Sequence, residues 1–483
     1  MKILVTGASG YIGGRLIPRL VAMGHQVSCL VRNPERLNFP GQVDAEIMRG
    51  DLLDRASLHP VLKDVEVAYY LVHSMADGVL GYIDRDLAAA ENFGLAARQA
   101  GVRRIIYLGG LGDCDKAISP HLDARQQVGN ILRQSGIPVT EFRAAIIIGS
   151  GSMSFEMIRY LTDRLPILFT PPWINTLCQP IGIENILDYL TLSLDEPRSI
   201  GSIFEIGGPD VLTYEEIMRG YAKSRRLRRW LINLPFLTPN LLAYGANLVT
   251  PLPSPYLRIL IEGLRSEVVV NDLSARQVFN VNLAPYEHSL QQALNRKGSG
   301  EIETYFMGGQ VGLKPGKTHK ISEGMFIEQR RLESSAEPRA LYAIFSGIGG
   351  KNGWFYLDLL WKIRGMVDVL AGGPGMRRGQ RNSEAGIHPG DVLGGYRVEM
   401  VEEGRLMRLR NEMKAPGPAW MQFEVLPRSE GGSLYIQTAF FEPHGLAGLA
   451  YWYSLFPFHQ LIFNGMARAI VRRAENKKPI NHR

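Results

Sequence analysis

Residues Leu4–Leu16 of this chain read Leu-Val-Thr-Gly-Ala-Ser-Gly-Tyr-Ile-Gly-Gly-Arg-Leu, a strand that runs directly into a glycine-rich turn and a helix. Gly7 permits the tight turn, Gly10 lets the backbone approach a phosphate, and Gly13 lets the helix pack closely on the sheet. An apolar strand precedes the turn, and a second strand, Gln26–Val31, completes the unit. The pattern predicts that the amides at the helix N-terminus bind the pyrophosphate of a dinucleotide. A strand, turn and helix without a ligand is the alternative.

The glycine spacing, Gly7-x-x-Gly10-x-x-Gly13, resembles that of the extended and atypical short-chain dehydrogenase/reductase (SDR) superfamily. The resemblance covers roughly the first three hundred residues and implies an α/β domain with a Rossmann-type doubly wound parallel sheet that binds NAD(P). Within the superfamily, the chain is most similar to the NmrA-like regulators and to the nucleotide-binding accessory subunit of mitochondrial complex I. Such members bind the dinucleotide and need not turn it over.

The resemblance also implies which residues contact the cofactor. Asp51 and Leu52 fall where SDR relatives hold the adenine, and Val72 and His73 end the strand that lies under the cofactor. The predicted cofactor-binding residues are Gly7, Ser9, Gly10, Tyr11, Ile12, Gly13, Arg32, Asp51, Leu52, Val72 and His73.

Arg32 follows the second strand, at the place where NAD-specific relatives have an acidic residue for the ribose hydroxyls. A guanidinium can pair with a 2′-phosphate through parallel charge-assisted hydrogen bonds, and no carboxylate is present there to bind the free diol. We therefore predict that the chain prefers NADP, with NAD as the alternative cofactor. A solvated surface arginine is the other interpretation of Arg32.

The usual SDR catalytic residues are missing. SDR enzymes supply a Ser or Thr at the end of the fifth strand and a Tyr-x-x-x-Lys on the next helix, whereas this strand ends in Leu108-Gly109-Gly110. Aligned by eye, His121 replaces the tyrosine and Arg125 the lysine. Histidine can act as an acid near neutral pH, and arginine can hold a ribose but cannot share protons as lysine can. His121 and Arg125 are the candidate catalytic residues; otherwise, His121 is a helix-start residue in an unused or reassigned pocket.

The composition is that of a globular protein, with 45% hydrophobic and 21% charged residues. The three cysteines, Cys29, Cys114 and Cys178, are widely separated, which excludes a zinc ribbon and disfavours a disulfide framework. His444 and His459 lack neighbouring ligands at a suitable spacing, so we predict no metal site. No charged leader with an apolar core precedes the first strand, and we expect a cytoplasmic protein.

The net charge of +7 weakly favours anionic partners, and its distribution is more informative than its size. Five basic residues precede Trp230, and no charged residue follows until Arg258. These five are Lys223, Arg225, Arg226, Arg228 and Arg229. The pattern is typical of peripheral membrane contact, here at the inner membrane face, and five prolines between positions 235 and 255 argue against a spanning helix. The alternative puts the arginines on the solvated face of a substrate-side subdomain. No nucleic-acid-binding motif accompanies the charge.

The patterning divides the chain into four parts: the SDR-like domain at 1–294, a linker at 295–320, a second domain at 321–475 and a basic tail at 476–483. Alternating stretches in the second domain have the period of half-buried antiparallel strands, and a helical segment from His459 to Ala474 follows them. This order resembles the START-like, or polyketide-cyclase-like, α+β helix-grip fold. In that fold a curved sheet wraps a helix around a cavity suited to a small apolar molecule.

An SDR domain fused to such a domain matches a bacterial family whose C-terminal half has no assigned function. Two hypotheses follow. The first is an NADP-preferring atypical SDR oxidoreductase that acts on an apolar carbonyl, enone or quinone-like substrate, with His121 or water as the proton source. The second is a non-catalytic redox sensor or assembly protein that binds NADP(H) and also a lipid-like ligand or a protein partner.

Overall fold

The structure, a computed structural model, describes ten ranges of the chain. They are residues 1–34, 43–73, 81–113, 118–252, 254–295, 316–322, 324–349, 352–376, 386–428 and 431–476. The chain forms two compact units, Met1–Gly312 and Leu313–Arg483. Cys114, most of the predicted linker and residues 477–483 of the predicted tail lie outside the described ranges.

The first unit alternates strands and helices. Its described strands are β1 (Lys2–Thr6), β2 (Gln26–Val31), β3 (Ala45–Arg49), β4 (Val67–Tyr70), β5 (Arg104–Gly110), β6 (Val139–Ala144), β7 (Ile147–Ile148), β8 (Ile167–Thr170), β9 (Leu177–Cys178), β10 (Ile181–Gly182), β11 (Ile203–Ile206), β12 (Leu212–Thr213) and β13 (Trp230–Asn233). Its described helices are α1 (Gly13–Ala22), α2 (Tyr82–Gln99), α3 (Pro120–Gln134), α4 (Met153–Arg164), α5 (Ile183–Leu192), α6 (Tyr214–Ser224), α7 (Pro239–Val249), α8 (Ser254–Gly263), α9 (Ser274–Val278) and α10 (Tyr286–Asn295).

Seven of the described strands form one parallel sheet in the order β11-β6-β5-β4-β1-β2-β3. From β1 the chain adds β2 and β3 on one side of the sheet, and β4 then pairs with β1 on the other side. This reversal opens a crevice at the carboxyl ends of β1 and β4, where open α/β sheets bind ligands. The predicted Rossmann-type parallel sheet is confirmed.

Both faces of this sheet are covered by helices, which explains why its central strands β1 and β4 are buried along nearly their whole length. Ile3 and Val5 of β1 lie in one core cluster with Leu16 and Leu20 of α1. Leu4, which points to the opposite face, lies in the core cluster that contains residues of α2 and α3. The alternation of side chains along β1 therefore anchors the start of the glycine turn from both faces of the sheet.

The second unit is an antiparallel sheet with a long C-terminal helix. Its described strands are β14 (Gly316–Ser322), β15 (Met325–Ser334), β16 (Val392–Leu393), β17 (Tyr396–Glu402), β18 (Leu406–Asn411), β19 (Ala419–Pro427) and β20 (Ser433–Phe441), in the sheet order β14-β15-β20-β19-β18-β17-β16. Its described helices are α11 (Pro338–Phe345), α12 (Asp358–Leu370) and α13 (Gly445–Asn476). A core cluster joins the sheet to α11, α12 and α13.

Two boundaries differ from the sequence prediction. Residues 316–320, placed in the linker, belong to β14, which pairs with β15 along its length. The terminal helix begins at Gly445 rather than at His459, and it continues through Pro457. A proline usually breaks a helix by removing one backbone hydrogen bond, but here the flanking turns pack against the sheet and keep the helix intact.

Candidate functional site

A cleft of about 630 Å³ lies at the crevice between β1 and β4. Except for Gly13, the predicted site residues all line it: Gly7, Ser9, Gly10, Tyr11, Ile12, Arg32, Asp51, Leu52, Val72, His73, His121 and Arg125. They come from segments up to 118 residues apart in the chain, because parallel strands bring their carboxyl ends to one edge of the sheet.

The glycine turn is held by close backbone contacts. Gly7 has a positive φ of 68°, and a side chain there would lie 2.6 Å from the Leu71 carbonyl oxygen at the end of β4. The Gly10 amide donates a 2.8 Å hydrogen bond to the Gly7 carbonyl. A side chain at Gly13 would collide with the same carbonyl, so Gly13 sets the approach of α1 to the turn without lining the cleft.

The loop after β3 forms the far wall of the cleft. The Asp51 carboxylate accepts a 3.0 Å hydrogen bond from the Leu53 amide, and the Ser57 hydroxyl accepts one of 2.9 Å from the Asp51 amide. Asn92 on α2 donates to the Leu52 carbonyl at 3.1 Å. These bonds fix the loop as a rigid edge against which a flat ring could lie.

Two arginines contribute to the cleft lining near this loop. Arg32 lies just beyond β2 and is exposed, and Arg85 on α2 is half-buried. Sequence reasoning missed Arg85 because an arginine on the first turn of a helix has no local pattern that distinguishes it from a solvated one. Both contribute positive charge to the cleft lining, which also includes the Asp51 carboxylate.

Two histidines meet in the middle of the cleft. The His73 and His121 ring centroids are 4.9 Å apart, and His73 Nδ1 lies 2.7 Å from Oδ2 of the buried Asp86 carboxylate. Among the described residues, His73 Nε2 and His121 Nδ1 are buried without a hydrogen-bond partner. Buried polar atoms are nearly always hydrogen-bonded, so these two nitrogens are available to a polar group that enters the cleft.

Burial makes both histidines poor bases. It lowers the pKa of His121 to about 3, helped by the nearby His73 and Arg125. Burial also lowers the pKa of His73, but the hydrogen bond to Asp86 opposes that shift. Both rings are therefore neutral at pH 7, and His73 is the one whose protonated form has a carboxylate partner.

Arg125 has a supporting position. Its guanidinium donates to the Leu108 carbonyl at the end of β5 and lies 5.1 Å from the centroid of the Tyr107 ring. The Tyr107 hydroxyl in turn donates a 2.7 Å hydrogen bond to the Arg125 carbonyl. Arg125 therefore braces α3 against β5 while its charge disfavours protonation of the two histidines.

Beyond the histidines the cleft wall is apolar. It is formed by Met153 and Met157 of α4, Ile259 and Leu260 of α8, and Leu264 after α8. Sequence reasoning did not identify these residues or Asp86. Each reaches the cleft through tertiary packing between segments far apart in the chain, and none belongs to a spaced motif.

No metal centre is found in the described part of the chain, where no three histidine, cysteine or acidic residues are grouped as ligands. Cys29 and Cys178 are buried free thiols. No helix among the described residues is long and apolar enough to cross a membrane.

Residues 1–230 match the NmrA-like family. The N-terminal domain is NmrA-like. Residues 322–466 match a second family, described as a protein of unknown function (DUF2867). The NmrA-like match covers the glycine turn, both histidines and Asp86, so these residues belong to the NmrA-like domain.

Two curated relatives and one solved structure illustrate the similarity of the NmrA-like domain. NADH dehydrogenase (ubiquinone) 1 alpha subcomplex subunit 9 of Arabidopsis thaliana is 25% identical over 300 residues, which are 59% of this chain and 74% of the relative. Photosystem II assembly factor Ycf39 of Trieres chinensis is 28% identical over 222 residues, 45% and 67% of the two chains. NADPH-dependent quinone oxidoreductase QOR2 of Escherichia coli, solved with NADPH, has a TM-score of 0.50 at 19% identity and covers 61% of this chain and 100% of its own. That structural likeness shows the fold.

Proposed function

We propose that the NmrA-like domain binds NADP(H) in its cleft and reduces an apolar carbonyl, enone or quinone-like compound. One observation carries the proposal: a single cleft runs from the glycine turn, past the histidine pair, to the apolar wall of α4 and α8. A phosphate site, a polar centre and an apolar chamber in that order match the three parts of a nicotinamide cofactor and its substrate.

The residues fit the cofactor. The Gly7 turn leads to the N-terminus of α1, where no N-cap side chain is hydrogen-bonded to the helix, and the Asp51–Leu53 loop offers a surface for the adenine. Arg32 and Arg85 give the positive charge that a 2′-phosphate requires. When bound, NADPH supplies the hydride.

The histidine pair supplies the proton that the reduced substrate needs. As the substrate oxygen gains negative charge it needs a proton, and His73 can deliver one from solvent because Asp86 stabilises its imidazolium. Burial lowers the pKa of His121 to about 3, so its ring stays neutral and holds the substrate oxygen by a hydrogen bond. We therefore assign proton transfer to His73, with Asp86 as its positioning residue, and substrate positioning to His121. Arg125 holds the strand and helix that carry the site.

The test is a fluorescence titration with NADPH and NADH, followed by NADPH oxidation with a panel of quinones and enones. His73→Ala is expected to lower kcat by about 100-fold or more, a larger effect than its effect on NADPH affinity. Asp86→Asn should lower kcat in the same way and alter the pH profile, whereas His121→Ala should act mainly on KM. His288→Ala on the exposed face of α10 is the matched control. Wild-type turnover in His73→Ala would refute the assignment.

A second candidate is a non-catalytic NADP(H) sensor or assembly protein. It is favoured by the glycines at the end of β5 and by the replacement of the tyrosine and lysine by His121 and Arg125. The similarity to a photosystem II assembly factor agrees with it. NADPH binding with no oxidation by any compound of the panel would favour this candidate over the first.

We also propose that the second unit is a helix-grip domain that holds an amphipathic small molecule. Glu328 and Arg330 of β15 and Gln437 of β20 are buried beside α13, and each has a polar atom without a partner among the described residues. A ligand with a polar group and an apolar body fits such an interior. Binding of the fluorescent fatty acid cis-parinaric acid, weakened by Gln437→Leu, tests this assignment; equal binding by both proteins would contradict it.

A further inference from the structure

The strand pair β8 and β13 of the NmrA-like domain has one exposed apolar face. Ile167 pairs with Trp230 and Phe169 with Ile232, so these four side chains lie on the same side of the ribbon. All four are exposed, Trp230 to 69%, while Leu168 on the other side is buried. Large apolar side chains grouped on a surface mark an interaction site.

The apolar surface continues along the chain. Phe236, in the loop after β13, is exposed to 69%. Leu241, Tyr244 and Leu248 then follow at helical spacing on α7 and are also exposed. We call these eight residues the apolar surface: Ile167, Phe169, Trp230, Ile232, Phe236, Leu241, Tyr244 and Leu248.

Positive charge borders this surface. Of the five basic residues before Trp230, Lys223, Arg226 and Arg228 are exposed. The other two have partners within the domain: Arg229 donates to the Asp163 carbonyl at 2.9 Å, and Arg225 lies 3.6 Å from the Asp163 carboxylate. The sequence interpretation of a five-residue basic cluster is therefore corrected to three residues that project outward.

The adjoining segment, residues 230–257, contains no charged side chain, so no carboxylate in it offsets the positive charge. We propose that the occupant of the apolar surface is an anionic lipid bilayer, bound peripherally. The aromatic and aliphatic side chains would enter the headgroup region, and Lys223, Arg226 and Arg228 would pair with lipid phosphates. A neutral or basic protein surface would leave these three cations without a complementary charge.

The helix pair α7 and α8 connects the apolar surface with the cleft. Ala243 and Ala246 on the inner side of α7 pack in one cluster with Leu257 and Ile261 of α8, and Ile259 and Leu260 of α8 line the cleft. The bilayer would therefore lie one helix pair away from the reducing site, and an apolar substrate dissolved in it would reach the cleft by a movement of α7 and α8. This route, unlike the docking itself, rests on the proposed function.

The experiment is co-sedimentation of the full chain with vesicles of phosphatidylcholine alone or mixed with phosphatidylglycerol, at low and high salt and without cofactor. We expect binding only to the anionic vesicles and release by high salt. A triple change, Lys223→Gln with Arg226→Gln and Arg228→Gln, should weaken binding by about 100-fold, since each basic residue contributes roughly fivefold.

The double variant Trp230→Ser with Phe236→Ser should also lose binding, whereas Leu192→Ser, at an exposed leucine of α5, is the matched control. Thermal unfolding checks that each variant folds. Undiminished vesicle binding by the folded double variant would overturn the proposal, as would no binding by the wild type. The proposal would also be overturned if the wild type were a dimer and the double variant a monomer. The apolar surface would then be covered by a second copy of the chain. NADPH titration of the same proteins reports separately on the proposed function.

Discussion

The imidazole rings of His73 and His121 lie 4.9 Å apart, with 36° between their planes. Two positive charges at this distance would repel each other, and burial already disfavours either one. The pair is therefore stable only while both rings are neutral, or while a proton resides on His73 beside Asp86.

This arrangement predicts a specific acid sensitivity. The pKa of His121 falls from its ordinary value of 6.5 to about 3, so below pH 6.5 the unfolded chain binds a proton that the folded chain does not. Stability that is fully present above pH 6.5 is lost as the pH falls toward 3, by at most about 1.4 kcal/mol per pH unit. Urea unfolding of His121→Gln between pH 7 and 4 should show a shallower loss than the wild type. The same slope in both proteins would contradict this, and His288→Gln controls for the removal of a histidine.

Neighbouring glycines in the turn should respond differently to alanine. A Cβ at Gly13 would collide with the Gly7 carbonyl oxygen, whereas one at Gly14 would meet its nearest atom, the Ala8 carbonyl oxygen, at 3.7 Å. Gly13→Ala is expected to cost about 1–3 kcal/mol of stability and to weaken NADPH binding, because α1 must move from the turn. Gly14→Ala should bind normally and be as stable as the wild type or slightly more so. Equal effects of the two changes would show that the turn does not control binding.

Arg32 is the residue that we propose sets the cofactor preference. Loss of its charge-assisted hydrogen bonds, worth about 1.5–3 kcal/mol, should weaken NADPH binding by about 10- to 100-fold in Arg32→Ala and leave NADH binding nearly unchanged. Arg103→Ala, at a largely exposed arginine before β5, serves as the control. Comparable losses of affinity for NADPH and NADH would show that Arg32 does not bind the 2′-phosphate.

In the second unit, loss of a buried ion pair should lower the free energy of unfolding more than loss of an exposed one. Arg330 and Glu328 lie 2.6 Å apart with side chains only 3% exposed, whereas Arg397 and Glu412 form an equally short pair near the surface. Arg330→Met leaves a buried carboxylate without its partner and should lower the free energy of unfolding by about 3–5 kcal/mol. Arg397→Met should cost less than about 1 kcal/mol. Urea denaturation of the two variants compares them, and replacing Glu328 as well should restore part of the loss.

Prediction succeeded where structure is encoded locally. The turn at Gly7 follows from a short motif, and α1 and β2 lie where the apolar periodicity placed them. The terminal helix was predicted to begin at His459, whereas it begins at Gly445, and the start of β14 was missed because its register depends on β15. The helix-grip assignment of the second unit and the residue roles at the cleft stay predictions.

By itself, the sequence predicted a parallel α/β sheet whose first strand includes Ile3–Val5, a glycine turn suited to a phosphate, and the absence of the ordinary SDR catalytic residues. These features depend on residue type and short spacing. Only the tertiary structure decided that Asp86 supports His73, that Arg125 braces β5, and that α8 separates the apolar cleft from the exposed side of α7. The physical reason is that burial and partner geometry arise when segments distant in the chain pack together, and residue spacing alone does not encode them.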